Sequence, residues 1–196
     1  LVGSEMCIRD RVSLASNSTG YENTAVGAET LVQNTIGKFN AALGYYSLYA
    51  NVDGEANVAL GWKALRNNTS ADNNIAIGRT AGELITTGGN NIMIGANTDP
   101  SANTGTNQIV IGSDATGLGD NKAVIGSASV TDVYMAQDMG ATVHADGVKF
   151  YEDTANGTHH VGFQSAAALG GDQVWTLPTA DGTDGQVLKT DGSGAL

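Results

Sequence analysis

The chain is poor in the residues that usually stabilise or charge a small domain. It has one cysteine, Cys7, and two prolines among 196 residues. One cysteine excludes an intrachain disulfide and a thiolate metal cluster. Lysine and arginine total 9 against 20 acidic residues, a net charge of −11. This balance argues against partners bound by their negative charge, such as nucleic acids or anionic membranes. No apolar run approaches the roughly 20 residues of a membrane helix, so no membrane partner is expected for this fragment.

Glycine is abundant, with 27 residues, and it is periodic. A phrase that runs from asparagine to glycine recurs at a fixed step of 17 residues. Its asparagines are Asn23, Asn40, Asn57, Asn74 and Asn91, and its closing glycines are Gly27, Gly44, Gly61, Gly78 and Gly95, with looser copies ending at Gly112 and Gly126. A fixed period of this kind is typical of a solenoid in which each repeat is one coil. The fold class predicted is all-β, a parallel β-roll with 17-residue coils.

Each phrase is predicted to form a short strand, with alternate side chains on opposite faces. In Val58-Ala-Leu60 the outer two residues are branched and the middle one is small. We expect the branched face to fill the coil and the alanine face to meet another chain. On this interpretation Ile77→Asp would bury a charge and abolish folding.

The rest of each coil is predicted to hold a second strand and a turn. Leu31, Leu48 and Leu65 follow their glycines by four residues and mark the second strand, and segments such as Asn34-Thr-Ile-Gly37 supply the turn. In-register stacking should align the phrase asparagines as a structural amide ladder at about 4.8 Å per coil. A slim coil buries little apolar surface by itself, so we expect several chains to associate.

Few residues suggest a binding site. Tyr45, Trp62 and Arg79 share one register and are candidate receptor contacts, through stacking on a glycan or a protein. The alternative is packing under loops or against a neighbouring chain. Asp114, Asp120 and Asn121 offer oxygen ligands for calcium, but their spacing fits a solvated turn better. The histidines, His144, His159 and His160, are expected to be surface or packing residues. No catalytic residue, metal site or cofactor is predicted.

Three regions are expected. Residues 1–11 resemble the in-frame translation of a transposase-based sequencing adapter, and we expect them to be disordered. Residues 12–127 form the β-roll. Residues 128–196 lose the period and alternate like short strands, as in Val148-Lys-Phe-Tyr151 and Thr158-His-His-Val-Gly-Phe163, so they are expected to form a β-rich stalk or connector. Both ends of the sequence read as cut from a longer protein.

The repeats of residues 17–127 resemble the YadA-like head repeats of trimeric autotransporter adhesins. That resemblance implies a left-handed parallel β-roll, a homotrimer and a binding role. The family's usual coil is nearer the 14 residues that separate Gly112 from Gly126, so the 17-residue coils depart from it in their loops.

A second resemblance covers the segment from Val174 to Gly194, which is similar to a segment of bacteriophage tail fibre proteins. Together the two resemblances favour a structural and adhesive fibre segment of a virion, which takes part in recognition of a host-surface glycan or protein. The alternative is the passenger head of a trimeric autotransporter on a bacterial cell surface.

A solenoid enzyme is the alternative from another class, and it is disfavoured. A hexapeptide acyltransferase needs an aliphatic residue every six positions, which the 17-residue step does not provide. A polysaccharide depolymerase would need paired carboxylates roughly 5–9.5 Å apart. Glu55 and Asp72 share a register, but they belong to a variable loop. We therefore expect no enzymatic activity.

Overall fold

The computed structural model describes residues 7–9, 12–133, 147–151 and 160–164. The chain divides into two compact units, Leu1–Tyr134 and Met135–Leu196. The first unit contains the whole repeat region. His144 and His159, the segment from Val174 to Gly194 and most of the predicted stalk lie outside the described residues.

The first unit is a β-solenoid of parallel three-residue strands, one for each coil. They pair in sequence order into one eight-stranded sheet. The strands are β1 (Cys7–Arg9), β2 (Thr24–Val26), β3 (Ala41–Leu43), β4 (Val58–Leu60), β5 (Ile75–Ile77), β6 (Ile92–Ile94), β7 (Ile109–Ile111) and β8 (Ala123–Ile125). The observed register is the one that the repeat predicts, since Leu60 pairs with Ile77 as Gly61 aligns with Gly78.

The two faces of the sheet are opposite to the prediction. Ala59 and Ala76 are fully buried, whereas Leu43 is 50% exposed and Ile77 is 39% exposed. The small middle residue therefore points into the coil and the branched residues point outward. The reason is the narrow interior. Gly82 stands one coil after Leu65 in the same register, and a Cβ added to it would lie only 3.5 Å from the Ala76 Cβ. Leu31, Leu48 and Leu65 fill that space in their coils, so only a small side chain fits there from the strand. Met93 and Val110 take the same inward position in later coils, which have no leucine in that register.

The predicted second strand is also wrong. Leu31, Leu48 and Leu65 are fully buried, but they lie in turns, with left-handed φ values of 51°, 49° and 50°. An extended strand cannot contain such residues, and a 17-residue coil needs sharp corners to close. The turns still stack through backbone hydrogen bonds between coils, because the Leu48 N–H donates to Ala64 O at 3.0 Å and the Leu65 N–H to Ala81 O at 3.0 Å.

The closing glycines are required by a close approach between coils. Gly61 has a φ of 139°, and a Cβ there would lie 2.3 Å from the carbonyl oxygen of Gly78. Such a distance is far inside van der Waals contact, so a side chain at this position would force the coils apart. The same relation holds at Gly44 and Gly78.

Two asparagine ladders fill the polar half of the interior. In the predicted ladder, the Asn40 N–H donates to the Asn23 side-chain oxygen at 2.9 Å, and the pattern continues to Asn91. The second ladder consists of the turn asparagines Asn17, Asn34, Asn51 and Asn68, each linked to the next. The ladders meet at shared carbonyls, as when Asn40 and Asn51 both donate to Gly54 O. Buried amides need such partners to avoid a desolvation cost.

Residues 1–11 do not lie wholly outside the fold. Strand β1 pairs in parallel with β2, with Cys7 opposite Thr24, so the 17-residue step extends back to it. The physical reason is that β2 would otherwise leave its backbone groups unpaired at the edge of the sheet. The expectation of disorder is therefore wrong for Cys7–Arg9. The resemblance of this segment to an adapter is a statement about its origin and stays a prediction.

The described part of the second unit is an antiparallel pair. Strand β9 (Gly147–Tyr151) pairs with β10 (His160–Gln164), with His160 opposite Tyr151. These two strands were predicted from their alternating sequence. Among the described residues, no helix is long and apolar enough to cross a membrane.

Candidate functional site

The three candidate receptor contacts lie in one column on the solenoid surface. Each follows the closing glycine of its coil, and all three side chains are exposed, with Tyr45 at 44% and Trp62 at 41%. Backbone hydrogen bonds hold the coils in register here, since the Lys63 N–H donates to Tyr45 O at 2.9 Å and the Thr80 N–H to Trp62 O at 2.8 Å. Tyr45, Trp62 and Arg79 are therefore presented to solvent on consecutive coils.

A tyrosine cluster extends this column around the coil. The Tyr45 and Tyr46 rings meet edge to face with centroids 4.3 Å apart, and the Tyr46 and Tyr49 centroids are 4.8 Å apart. The Arg66 guanidinium lies 5.6 Å from the Tyr46 centroid. The hydroxyl of Tyr46 donates to the Glu29 carboxylate, which raises the pKa of Tyr46, and the neighbouring Tyr45 hydroxyl acts in the same direction. The neutral form of the Tyr46 hydroxyl is therefore favoured over the phenolate.

Cations stand beside the aromatic rings. The Lys63 ammonium lies 4.1 Å from the Trp62 ring centroid, in the range of a cation–π interaction. Arg79 follows Trp62 in the column on the next coil. We call the six positions that follow the glycines of these three coils the aromatic corner: Tyr45, Tyr46, Trp62, Lys63, Arg79 and Thr80. Its six residues include three aromatic residues and two cations, and the neighbouring carboxylates are those of Glu29 beside Tyr46 and Asp114 beside Arg79. The rings and the Lys63 ammonium over Trp62 suit a ligand with both a flat apolar face and a negative charge.

Sequence reasoning found the column but missed Lys63 and Arg66. The signal for Lys63 was available, because it stands in the register of Tyr46 one coil later. Arg66 could not be found in this way, because it does not stand in the register of Tyr46. Only the curvature of the coil brings its guanidinium close to the Tyr46 ring. Phe39 belongs to a different corner, where its ring meets that of Tyr21 edge to face at 5.4 Å.

A second surface is the outer face of the sheet. Its members are the first and third residues of each strand, and most are aliphatic. We call this the outer sheet face. Among its more exposed members are Leu43 at 50% and Ile125 at 59%. The face runs along β2–β8 without a charged residue, and contiguous apolar surfaces of this kind mark interaction sites.

The acidic residues near the end of the solenoid bind neighbouring coils. Asp114 accepts from the Asn97 amide at 2.7 Å, and Asp120 accepts from the Thr106 N–H at 2.8 Å. Asn121 accepts from the Asn107 amide at 2.8 Å. These bonds fit the structural interpretation of the three residues. In residues 12–133 and the described strands, no group of three or more His, Cys, Asp or Glu is placed to hold a metal ion.

The repeat asparagines and glycines form the interior of the coil and present no side chain to a ligand, because Asn23, Asn40, Asn57, Asn74 and Asn91 are all buried. No protein-family model, curated protein or solved structure matches this chain. The outer sheet face and the aromatic corner are therefore the observations on which a function can be argued.

Proposed function

We propose that the chain is a structural and adhesive fibre segment that assembles as a homotrimer and takes part in recognition of a host surface. The observation that carries this proposal is the outer sheet face. Exposing a row of aliphatic side chains to water is unfavourable by about 25 cal/mol for each Å² of apolar surface. A lateral partner that covers the row removes this cost along the length of the solenoid.

A second copy of the chain is the partner that matches this face best. Every coil presents its aliphatic residues at the same height as the equivalent coil of another copy, so the match is repeated along the axis. A rotation that closes after three copies gives a ring in which each face is covered. The trimer and the left-handed winding are what the resemblance to YadA-like head repeats implies, and the exposed face supports the association.

The fibre role follows from the one-dimensional architecture together with the second resemblance. A stack of coils can be lengthened without changing its interior, which suits a rod that holds a binding surface away from its base. The similarity of the segment from Val174 to Gly194 to tail fibre proteins favours a virion. Display on a bacterial cell surface is the alternative.

Assembly is tested by sedimentation equilibrium of the whole chain over a range of concentrations, with three copies expected. Leu43→Asp places a charge on the outer sheet face and should yield a monomer. Val52→Asp is the matched control, because Val52 is an exposed aliphatic residue outside that face. A wild-type chain that stays monomeric throughout, or equal effects of the two variants, would refute the trimer.

Adhesion is tested separately with the fluorescently labelled chain on a panel of intact bacterial strains. Labelling of a subset of strains is expected, since a receptor varies between hosts. If no strain in a broad panel is labelled, the adhesive part of the proposal fails, whatever the assembly state.

A further inference from the structure

We infer that the aromatic corner binds an anionic glycan, a polysaccharide whose sugars carry carboxylate or sulfate groups. This inference rests on the proposed adhesive function and names the ligand class. Its basis is the juxtaposition of exposed aromatic rings with cations on consecutive coils, in a chain that is otherwise acidic.

The distribution of charge is the first argument. The described residues 12–133 contain five cationic residues, namely Lys38, Lys63, Arg66, Arg79 and Lys122. Three of the five lie at or beside the aromatic corner. Arg66 is paired with Glu83 at 3.4 Å, and Arg79 interacts electrostatically with the Asp114 carboxylate, whereas Lys63 lies over the Trp62 ring. With a net charge of −11, the chain as a whole repels anions, so a local cluster of cations selects where an anion can bind.

The chemistry of the side chains is the second argument. The C–H face of a sugar ring can lie flat on Trp62 or Tyr45, and aromatic residues provide contact area at a small cost in side-chain entropy. The Arg79 guanidinium is a planar donor that pairs with a carboxylate or a sulfate through two hydrogen bonds. The Lys63 ammonium supplies a second positive charge next to the indole. A neutral glycan would use the rings without engaging the positive charge of either cation.

The third argument concerns polymers. Neighbouring coils are about 4.8 Å apart. The column therefore repeats its contacts along the solenoid axis at a spacing similar to that of successive sugars in an extended polysaccharide. A single-stranded nucleic acid would also stack on aromatic rings, but its binding needs a positively charged groove along the phosphate backbone. Glu29 and Asp114 lie in the register of Tyr46 and Lys63 on other coils, so the positive region is too short for that role.

The inference is tested by affinity electrophoresis of the whole chain in native gels at about 0.15 M salt, where exposed charges are screened beyond about 8 Å. Separate gels contain covalently immobilised polygalacturonate, heparin, dextran or single-stranded DNA, because free polyanions would migrate with the acidic chain. Retardation by polygalacturonate or heparin is expected, and the stronger of these two arms identifies carboxylate or sulfate as the favoured group. Equal retardation by dextran, or retardation by DNA alone, would overturn the inference.

Variants locate the site. Trp62→Ala and Lys63→Glu should each weaken the apparent affinity by about tenfold, and Trp62→Tyr should retain most of it because an aromatic ring remains. Lys122→Glu makes the same change in net charge at a position away from the corner, and should have little effect. Equal losses in Lys63→Glu and Lys122→Glu would mean that net charge, not the corner, governs binding. Circular dichroism of each variant checks that the solenoid is intact.

Failure of the glycan-binding inference can be distinguished from failure of the proposed adhesive function. A chain that labels bacterial strains but is not retarded by polygalacturonate or heparin keeps its adhesive role and loses the anionic ligand. If it labels no strain but binds these glycans through Trp62 and Lys63, the ligand class stands and host adhesion fails.

Discussion

The backbone N–H of Asn57 and its side-chain amide both donate to the same side-chain oxygen of Asn40, at 3.0 and 3.1 Å. The Asn57 amide also donates to Ala71 O at 2.8 Å, and its own oxygen accepts the Asn74 N–H at 2.9 Å. One side chain therefore joins three successive coils. Repetition of this arrangement explains why an uncharged amide, rather than any other polar group, recurs at this position.

We predict that Asn57→Asp destabilises the solenoid by about 3 kcal/mol or more. The carboxylate has the same shape, but it cannot donate to Asn40 or Ala71, and it places a negative charge among buried carbonyl oxygens. The free energy of unfolding in urea, followed by circular dichroism, measures the loss. Asn103→Asp is the control at an exposed asparagine and should change stability by less than about 0.5 kcal/mol. Equal effects would show that the ladder is not required.

We also predict opposite outcomes for aspartate at two adjacent positions. Ala76→Asp puts a charge into the closed interior, where Ala76 is fully buried, and should abolish folding. Ile77→Asp should instead leave the β signal in circular dichroism and reduce association, because Ile77 belongs to the outer sheet face. Equal loss of the β signal in the two variants would contradict the outward placement of Ile77.

The repeat could be aligned from the sequence because spacing alone sets which residues are stacked. The 17-residue step placed Leu60 beside Ile77 and Asn57 beside Asn74, as observed. The direction of the faces could not be read in the same way. Both faces of each strand are apolar. The alternation of side chains along a strand therefore shows that neighbouring residues point in opposite directions, but not which of them points into the coil. Leu65, which follows the end of β4 by five residues, decides the direction of the faces by occupying the interior.

The corners were misread for a different reason. Positive φ is usually assigned to glycine or asparagine, and Leu48 resembles a strand residue when judged by propensity. In this fold Leu48 and Phe39 both adopt left-handed φ, at 49° and 60°. Stacked corners fix the backbone through hydrogen bonds between coils, and that tertiary constraint overrides local preference. At the aromatic corner, likewise, the column was visible in the register but the contact between Arg66 and Tyr46 was not.

The coil that contains Gly82 and Ile85 is the first to break both interior columns, and we predict that its two changes compensate each other. Gly82 stands in the leucine register with a φ of 64°, and the buried Ile85 stands in the register of Asn68. A Cβ at Gly82 would lie 3.0 Å from Leu65 Cδ2 and 3.3 Å from Ile85 Cδ1. Ile85 therefore fills the space that a leucine would take.

Gly82→Leu should destabilise the protein by about 1–3 kcal/mol through overpacking. Ile85→Asn should cost about 2–4 kcal/mol by opening a cavity beside Gly82. The double variant restores the pattern of the preceding coil and lets the new asparagine donate to Asn68, so it should be more stable than either single variant. A double-mutant cycle in urea measures the coupling. Additive losses would show that the two positions do not share the space.

The final prediction concerns pH. Burial raises the pKa of Asp99 above its ordinary 3.8, although the Leu84 N–H bonds its carboxylate at 2.9 Å. Since the folded pKa exceeds the unfolded one, the charged form opposes folding, and stability declines as pH rises from the unfolded pKa through the folded one. Asp99→Asn keeps the acceptor oxygen without the charge, so it should be more stable than the wild type at pH 7, and the gain should vanish below about pH 3.8.

Asp114→Asn should behave oppositely, because the Asn97 amide lowers the pKa of Asp114 and its carboxylate favours the fold above the unfolded pKa. Urea unfolding of the wild type and both variants at pH 7 and pH 3 measures how each substitution changes the free energy of unfolding. If both substitutions changed stability in the same direction at pH 7, the opposite pKa shifts of Asp99 and Asp114 would be contradicted.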